Sequence, residues 1–288
     1  MTRACIFAHF DKHDRVDEYV YYYLNELLTI TDKIVLVTVS DILVEDVQRL
    51  KSLNIEVIKR ENQGYDFYSY KVGIKSLDLE RFDELIICND SIYGPFVSLA
   101  EVFSKMENKE CDFWGITASK SIAYHLQSYF FVYRNNILKS AEFLDFWNNV
   151  VILDDKSDIV REYEVGLSLF LFEKGFTSRA YVENVNYEVS KKDNSFRLFK
   201  RLLKAPYKIF RVLTSPYQYW SAIKRKNTNT SLVYWDQLLL NKKMPFLKVS
   251  LFTNNQDSKE NLNKFEEIIK SISNYPTSLI KKHLKRIL

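Results

Sequence analysis

Residues 61–74 read ENQGYDFYSYKVGI: a Gly-Tyr-Asp opening followed by three further aromatic rings, where an ordinary core helix carries leucine and alanine. What precedes this stretch decides its reading. Ile55 to Ile58 reads as a strand, so Gly64 falls where a strand gives way to a helix. Asp66 then stands just past the turn, where backbone N–H groups and an acid face the binding edge of an α/β sheet. From there it can accept hydrogen bonds from a nucleobase or ribose, while Tyr65, Phe67, Tyr68 and Tyr70 stack or donate through their hydroxyls. The same spacing also fits an N-capping Asp on an aromatic-rich core helix.

Working outward, apolar runs alternate with helix-period runs. Cys5 to Ala8 is predicted as a first strand, and Val16, Val20, Leu24, Leu27 and Leu28 recur at helical spacing, which makes Tyr21 to Tyr23 part of a half-buried helix. Ile34 to Val39 is a second strand and Val44 to Leu53 a short helix. After the quoted stretch comes DELIICNDSIYGPF, an apolar strand from Leu85 to Cys88 that runs into Asn89-Asp90-Ser91 and a Gly-Pro turn. A helix is predicted from about Val97 to Met106, strands over 112–117 and 128–133, a helix over 136–148, and another in REYEVGLSLFLFEKGF that stops at Gly175. Strand–helix repeats of this kind build a mostly parallel central sheet flanked by helices, an α/β fold.

The 288 residues are 47% hydrophobic and 27% charged, a balance that excludes a disordered chain. Cys5, Cys88 and Cys111 lie far apart in the sequence in apolar settings, which predicts buried free thiols and a reducing compartment. The N-terminus turns polar too early for a signal peptide, and no apolar run approaches a bilayer's thickness, so a cytoplasmic protein is expected. The net charge of +4 is unevenly spread: Lys191 to Lys226 is crowded with Lys and Arg around the one acid Asp193.

Three clusters can carry chemistry. Asn89-Asp90-Ser91 ends a parallel strand, where α/β sheets place their ligands, and the Asp90 carboxylate suits a divalent cation, Mg²⁺ or Mn²⁺, that would neutralise a diphosphate. The trio equally suits a simple turn before Gly94-Pro95. Glu164, at the start of a helix, can serve as a general base for a hydroxyl nucleophile, with Glu162 as a competitor and a helix-dipole acid as the plainer alternative. His9 and His125 fit either a site or a satisfied strand end, and no His/Asp/Glu set has zinc spacing. The absence of Gly-x-Gly-x-x-Gly, a Walker loop and Gly-x-Ser-x-Gly argues against a dinucleotide enzyme, a P-loop NTPase and an α/β-hydrolase.

Taken in order, GYDFYSYKVGI, DELIICNDSIYGPF, CDFWGIT, HLQSYFFVYR, YEVGLSLFLFEKGF and YWDQLLL resemble the rhamnan synthesis protein F family of bacterial polysaccharide glycosyltransferases, from about Ile6 to about Leu251. The resemblance implies a glycosyltransferase A-type, Rossmann-like fold. It makes His9, Asp66, Tyr68, Asn89, Asp90 and Ser91 donor-side residues, with Asn89-Asp90-Ser91 standing in for the usual Asp-x-Asp. Lys71 is a candidate for the departing diphosphate, Glu164 falls where the base is expected, and His125 and Gln127 would line the acceptor side. Asn89 and Ser91 supply no second carboxylate, which departs from the family pattern. The implied reaction moves L-rhamnose, or a similar deoxyhexose, from a dTDP-sugar to a growing glycan with inversion.

The expected organisation is a catalytic domain over 1–187 and a basic helical extension over 188–288. In SFRLFKRLLKAPYKIFRVL the apolar and basic residues separate, so this segment within 191–226, and SLIKKHLKRIL at the C-terminus, fit either a peripheral contact with the inner membrane face near a lipid-linked acceptor or a helix packed on the main domain. Nothing in the chain matches a nucleic-acid reading module. A different class of function remains open beside transfer: a non-catalytic nucleotide-sugar or glycan-binding subunit.

Overall fold

The computed structural model describes residues 1–120, 122–182, 232, 234–253 and 258–288. The boundary near residue 187 and the basic segment 191–226 lie outside the described residues. The chain opens with β1 (Arg3–His9), α1 (Glu18–Leu28), β2 (Lys33–Thr38), α2 (Val44–Ser52), β3 (Ile55–Lys59) and α3 (Tyr65–Ser76). It continues through β4 (Glu84–Asn89), β5 (Ile92–Tyr93), α4 (Leu99–Glu107), β6 (Phe113–Gly115), β7 (Ala118–Ser119), β8 (His125–Leu126) and β9 (Phe130–Arg134). Then come α5 (Asn135–Leu138), α6 (Ala141–Asn149), α7 (Lys156–Ile159), a π-helical turn (Val160–Val165), α8 (Gly166–Glu173) and β10 (Ser178–Ala180). The C-terminal part adds α9 (Trp235–Lys242), β11 (Leu247–Lys248), α10 (Ser250–Thr253), α11 (Ser258–Ile272) and α12 (Ser278–Ile287).

Seven strands form one sheet in the order β10-β6-β9-β4-β1-β2-β3. β1, β2, β3 and β4 run parallel, as the alternating pattern predicts, and β10 is parallel to β6. β9 runs antiparallel to both β4 and β6. β1 sits centrally and feeds two faces with period two: Cys5 and Phe7 join one core, and Ala4, Ile6 and Ala8 the other. Burial on both faces explains why its sequence is continuously apolar rather than alternating.

One core lies under α1, α4 and the C-terminal helices, the other under α3, α6 and α8. In the second, α3 approaches β1 so closely that a Cβ on Gly73 would fall 2.4 Å from Ile6 Cγ2. Glycine is therefore required there, in the middle of the opening stretch. Phe67 and Tyr70 from α3 pack with Trp147, with ring centroids 6.0 and 6.3 Å apart. Two of the four rings of that stretch, Phe67 and Tyr70, thus belong to the core, where full burial of each stabilises the fold by about 1.5–3 kcal/mol.

The structure departs from expectation in several places. Residues 136–148 form two helices, because Ser140 breaks the run and caps α6 by accepting the Phe143 N–H at 3.2 Å. Cys5 and Cys88, distant in sequence, are buried free thiols 3.7 Å apart on neighbouring strands; Cys111 is free and partly exposed. Residues from Trp235 onward contribute Leu238, Phe246, Leu251, Phe265, Ile280 and others to the same core as α1 and β1. In α12 the apolar face, Ile280 and Leu284 with His283, is buried, which is the packed-helix alternative of the two open for the C-terminus; Lys281, Lys282 and Lys285 stay exposed. Among the described residues no helix is long and apolar enough to cross a membrane.

Candidate active site

At the C-terminal edge of the sheet, β4 lies beside β1, with Ala8 opposite Asn89, and β2 lies on the other side, with His9 opposite Thr38. This is a switch point of strand order, where an α/β sheet opens a crevice. His9 lies beneath it, buried, its Nδ1 2.9 Å from Thr38 Oγ1 and its Nε2 3.9 Å from Asp90 Oδ2. Burial pulls its pKa down to about 4, against the pull of Asp11, so the ring is neutral and acts as a fixed support. Asp90 Oδ2 accepts the Phe10 N–H at 2.8 Å, and the Tyr19 hydroxyl donates to the Asp90 carbonyl at 2.9 Å. Burial pushes the Asp90 carboxyl well above the usual aspartate range, with Asp66 and Asp11 adding to the rise.

Asp66 does not cap α3. The helix is opened by Gly64 at φ +70°, with Tyr65 at φ +52°, and Arg60 holds that turn by donating to the carbonyls of Glu61, Gln63 and Tyr65. The Asp66 carboxylate instead accepts from Asn89 Nδ2 at 2.8 Å, and Asn89 Oδ1 accepts the Ser91 N–H at 3.1 Å and hydroxyl at 2.6 Å. Asp66, Asn89, Asp90 and Ser91 are thus brought together. Burial raises Asp66 too, partly offset by Asn89.

Two donor-side expectations are corrected. Lys71 turns away from this edge and donates to the carbonyls of Asn148 and Val150 at 2.8 and 2.6 Å, closing the C-terminal end of α6. The Tyr68 ring meets the Arg60 guanidinium and the Lys71 ammonium, 5.3 and 5.9 Å from its centre, and among the described residues it makes no hydrogen bond to Asp66 or to Asn89-Asp90-Ser91. Helical geometry is the reason: residues two apart point to nearly opposite faces.

Glu164 projects from the π-helical turn, an irregularity frequent at functional sites. Its Oε2 accepts the Ser128 N–H at 3.0 Å and also the Ser128 hydroxyl, and its Oε1 lies 3.4 Å from His125 Nε2. His125 Nδ1 lies 2.8 Å from the Ala123 carbonyl, which can only accept, so that nitrogen carries a proton. Burial pushes the Glu164 carboxyl up, but His125, Lys248 and Ser128 outweigh it and hold it below the ordinary glutamate range. Gln127 faces inward, its Oε1 accepting from Thr117 Oγ1 at 2.7 Å, and Thr117 also meets the Tyr129 hydroxyl at 2.7 Å. The Tyr70 hydroxyl, donated to the Ser128 carbonyl at 3.1 Å, ties α3 to the loop that holds Glu164.

One residue escaped sequence reasoning. β11 pairs antiparallel with β5, placing Lys248 opposite Ile92, and the Val249 N–H donates to the Ser91 carbonyl at 2.8 Å. The Lys248 ammonium lies 5.0 Å from the Tyr129 ring centre and is attracted to Glu164. Nothing in PFLKVS marks this lysine, because the β5–β11 pairing is a long-range contact.

Comparison with known sequences now bears on the site. The family model of rhamnan synthesis protein F matches residues 34–217, a span that includes Asp66, Asn89-Asp90-Ser91, His125 and Glu164. The chain belongs to the rhamnan synthesis protein F family. It is 32% identical over 225 residues to the virulence protein VirA of Vibrio anguillarum, covering 74% of this chain and 68% of that one. It is 27% identical over 157 residues to the uncharacterized protein y4gN of Sinorhizobium fredii, covering 52% of this chain and 41% of that one. Among solved structures, S. aureus TarS 1-349 shares 15% identity over 92% of this chain and 74% of that chain, with a TM-score of 0.41. Membership of the rhamnan synthesis protein F family makes the coarse function that of a glycosyltransferase in polysaccharide synthesis.

In this rhamnan synthesis protein F chain the donor set for a divalent cation is narrow. Asn89 Oδ1 is engaged by Ser91, Asp66 by Asn89, and Asp90 Oδ2 by Phe10. A Mg²⁺-type ion is commonly held by one or two carboxylates plus substrate phosphates, so Asp90 fits as a single protein ligand. Such an ion would neutralise a bound diphosphate. A second cluster, Asp11, Asp17 and His283, is filled by Arg286, whose guanidinium pairs with both acids.

Proposed function

We propose that this chain transfers a sugar from a nucleotide-diphosphate donor to a hydroxyl of a growing cell-surface glycan, by a single displacement with inversion. The family points to L-rhamnose or a similar deoxyhexose carried on dTDP, and to a lipid-linked acceptor approached from the cytoplasmic face of the membrane. The observation that carries the reading is the pairing at one sheet edge of two differently tuned sites. Asp66, Asn89, Asp90 and Ser91 form the donor side, and Glu164, gripped by Ser128 and His125, forms the acceptor side.

In this reading the acceptor hydroxyl attacks the anomeric carbon while its proton passes to Glu164 Oε1, the oxygen not bonded to Ser128. The bond from that carbon to the diphosphate oxygen breaks, and its electron pair leaves with the nucleotide. An ionised carboxylate is what a base needs, and partners that hold Glu164 below the usual range keep it ionised at neutral pH. His125 stands beside it to orient the acceptor, and Gln127, bonded to Thr117, supports that side from within. His9 and Asp66 hold the donor side in place from beneath rather than by direct reach.

Glu164→Gln is expected to lower transfer by roughly 10²–10⁴-fold while leaving nucleotide affinity within about twofold. Transfer assayed with cell-envelope polysaccharide as acceptor reads the first, and calorimetry the second. Unchanged transfer would remove Glu164 as the base. The second reading, a binding subunit without turnover, is favoured by the engagement of both Glu164 oxygens and by the single carboxylate available at Asp90. It predicts nucleotide-sugar binding with no transfer in the wild-type chain.

A further inference from the structure

A departing diphosphate develops negative charge, and preorganised cations at that point are worth most in a water-poor site. The donor side of this edge is acidic: Asp90 feels the charge of Asp66, and Asp66 that of Glu164. Of the neighbouring described cations, Lys156 on α7 acts on Asp66 from an exposed position, and three others are engaged. Arg60 is bound to three carbonyls and Ser69, Lys71 to two carbonyls, and Arg286 to Asp11 and Asp17. Lys248 differs from them. Among the described residues its ammonium has no hydrogen-bonded acceptor; it rests against the Tyr129 ring and is drawn toward Glu164.

Its position is built, not incidental. β11 is fastened to the segment that follows Asn89-Asp90-Ser91 by the β5 pairing and by the Val249 N–H to Ser91 carbonyl bond. The Phe96 N–H donates to the Pro245 carbonyl at 2.8 Å, and Gly94, at φ +129°, leaves room for that carbonyl, which a Cβ would approach to 2.4 Å. The strand that carries Lys248 is therefore locked to the loop that ends β4, with the ammonium over the Tyr129 ring and within the field of Glu164.

We propose that Lys248 is a diphosphate-binding residue of the transfer site: a cation, delivered by the C-terminal segment, that holds the donor's phosphates and stabilises the nucleotide as it leaves. This rests on the glycosyltransferase reading above. The lysine stays protonated throughout, since the acceptor proton goes to Glu164 and the electron pair goes to the diphosphate oxygen. Burial lowers its affinity for a proton and the Glu164 charge restores part of it, as suits an ammonium awaiting an anionic partner. With this lysine in place, part of the diphosphate affinity needs no divalent cation, which matches the narrow donor set around Asp90.

The test is calorimetric titration of the full chain with dTDP, UDP and GDP, each in EDTA and in Mg²⁺, against Lys248→Met and Lys248→Arg. Met keeps the aliphatic stem and removes the charge, and the melting curve of each variant verifies folding. For the nucleoside diphosphate that binds wild type, Lys248→Met is expected to weaken affinity at least about tenfold, with the largest loss in EDTA. Lys248→Arg should recover most of it, and the matching nucleoside monophosphate should lose less than the diphosphate. Affinity within twofold of wild type for a folded Lys248→Met in both media overturns the role of Lys248 alone. Failure of wild type to bind any of the three in either medium overturns the transferase reading and this role with it.

Discussion

Two sets of carboxylates share the C-terminal edge of one sheet and are tuned in opposite directions. Asp66 and Asp90 are pushed up, chiefly by burial, with the charge of Glu164 adding to Asp66 and the charges of Asp66 and Asp11 adding to Asp90. Glu164 is as enclosed, yet Ser128, His125 and Lys248 outweigh burial and hold it down. The difference teaches that position on the edge does not set an acid's role; its partners do. A carboxyl short of cations awaits a cation or the protein-bound phosphates that bring one, whereas a carboxylate already charge-compensated stays ionised and can take a proton from a substrate.

The comparison is broken most severely at Ser128. Ser128→Ala removes the hydroxyl that grips Glu164, a charge-assisted hydrogen bond of the kind worth about 1.5–3 kcal/mol. Because the folded carboxyl lies below its unfolded value, this stabilisation is present above the unfolded pKa and lost as pH falls through the folded one. Urea unfolding at pH 7 should show the cost, and the same pair of proteins should converge in more acidic buffer. The acid limb of the transfer rate should also move to higher pH; an unmoved limb would separate Glu164 from catalysis.

Asp90→Asn sharpens the other half. Its folded carboxyl is raised, so the charged form weakens the fold above that value, and the penalty fades as pH falls through it. The variant is expected to be more stable at pH 8 by about 1 kcal/mol, ~2–4 °C in Tm, while binding donor less tightly. Loss of stability with unchanged donor affinity would make Asp90 a structural turn residue. The smallest effect is expected at Lys71: Lys71→Ala loosens the end of α6, costing about 1 kcal/mol by thermal melt, and leaves donor affinity unchanged.

The parallel half of the fold was readable because β1, β2 and β4 are buried on both faces and spell nearly continuous apolar runs bounded by turns, while the edge strand β3 keeps only Ile55, Val57 and Ile58 apolar. The antiparallel β9 was readable as a strand but not in direction, since direction is set by pairing with β4 and β6 rather than by its own residues. Asp66, Asn89-Asp90-Ser91 and Glu164 stand out as candidates in the sequence because acids at strand ends and helix starts are local signals. Local signals failed for Lys71 and Tyr68, where the face of α3 decides, and the aromatic residues Phe67 and Tyr70 proved to be core. Lys248 carried no signal because its meaning arises from a pairing with β5 that its own neighbours in sequence do not announce.

The proposed transfer requires that this edge bind a nucleotide-activated sugar across Asp90 and Glu164. Thermal-shift measurements of wild type, Asp90→Ala and Glu164→Gln against dTDP-rhamnose, UDP-sugars and GDP-sugars, each with Mg²⁺, Mn²⁺ or EDTA, test it most directly. The account predicts selective stabilisation by one nucleotide sugar, kept in Glu164→Gln and diminished in Asp90→Ala. Equal melting temperatures with and without every nucleotide sugar would contradict it.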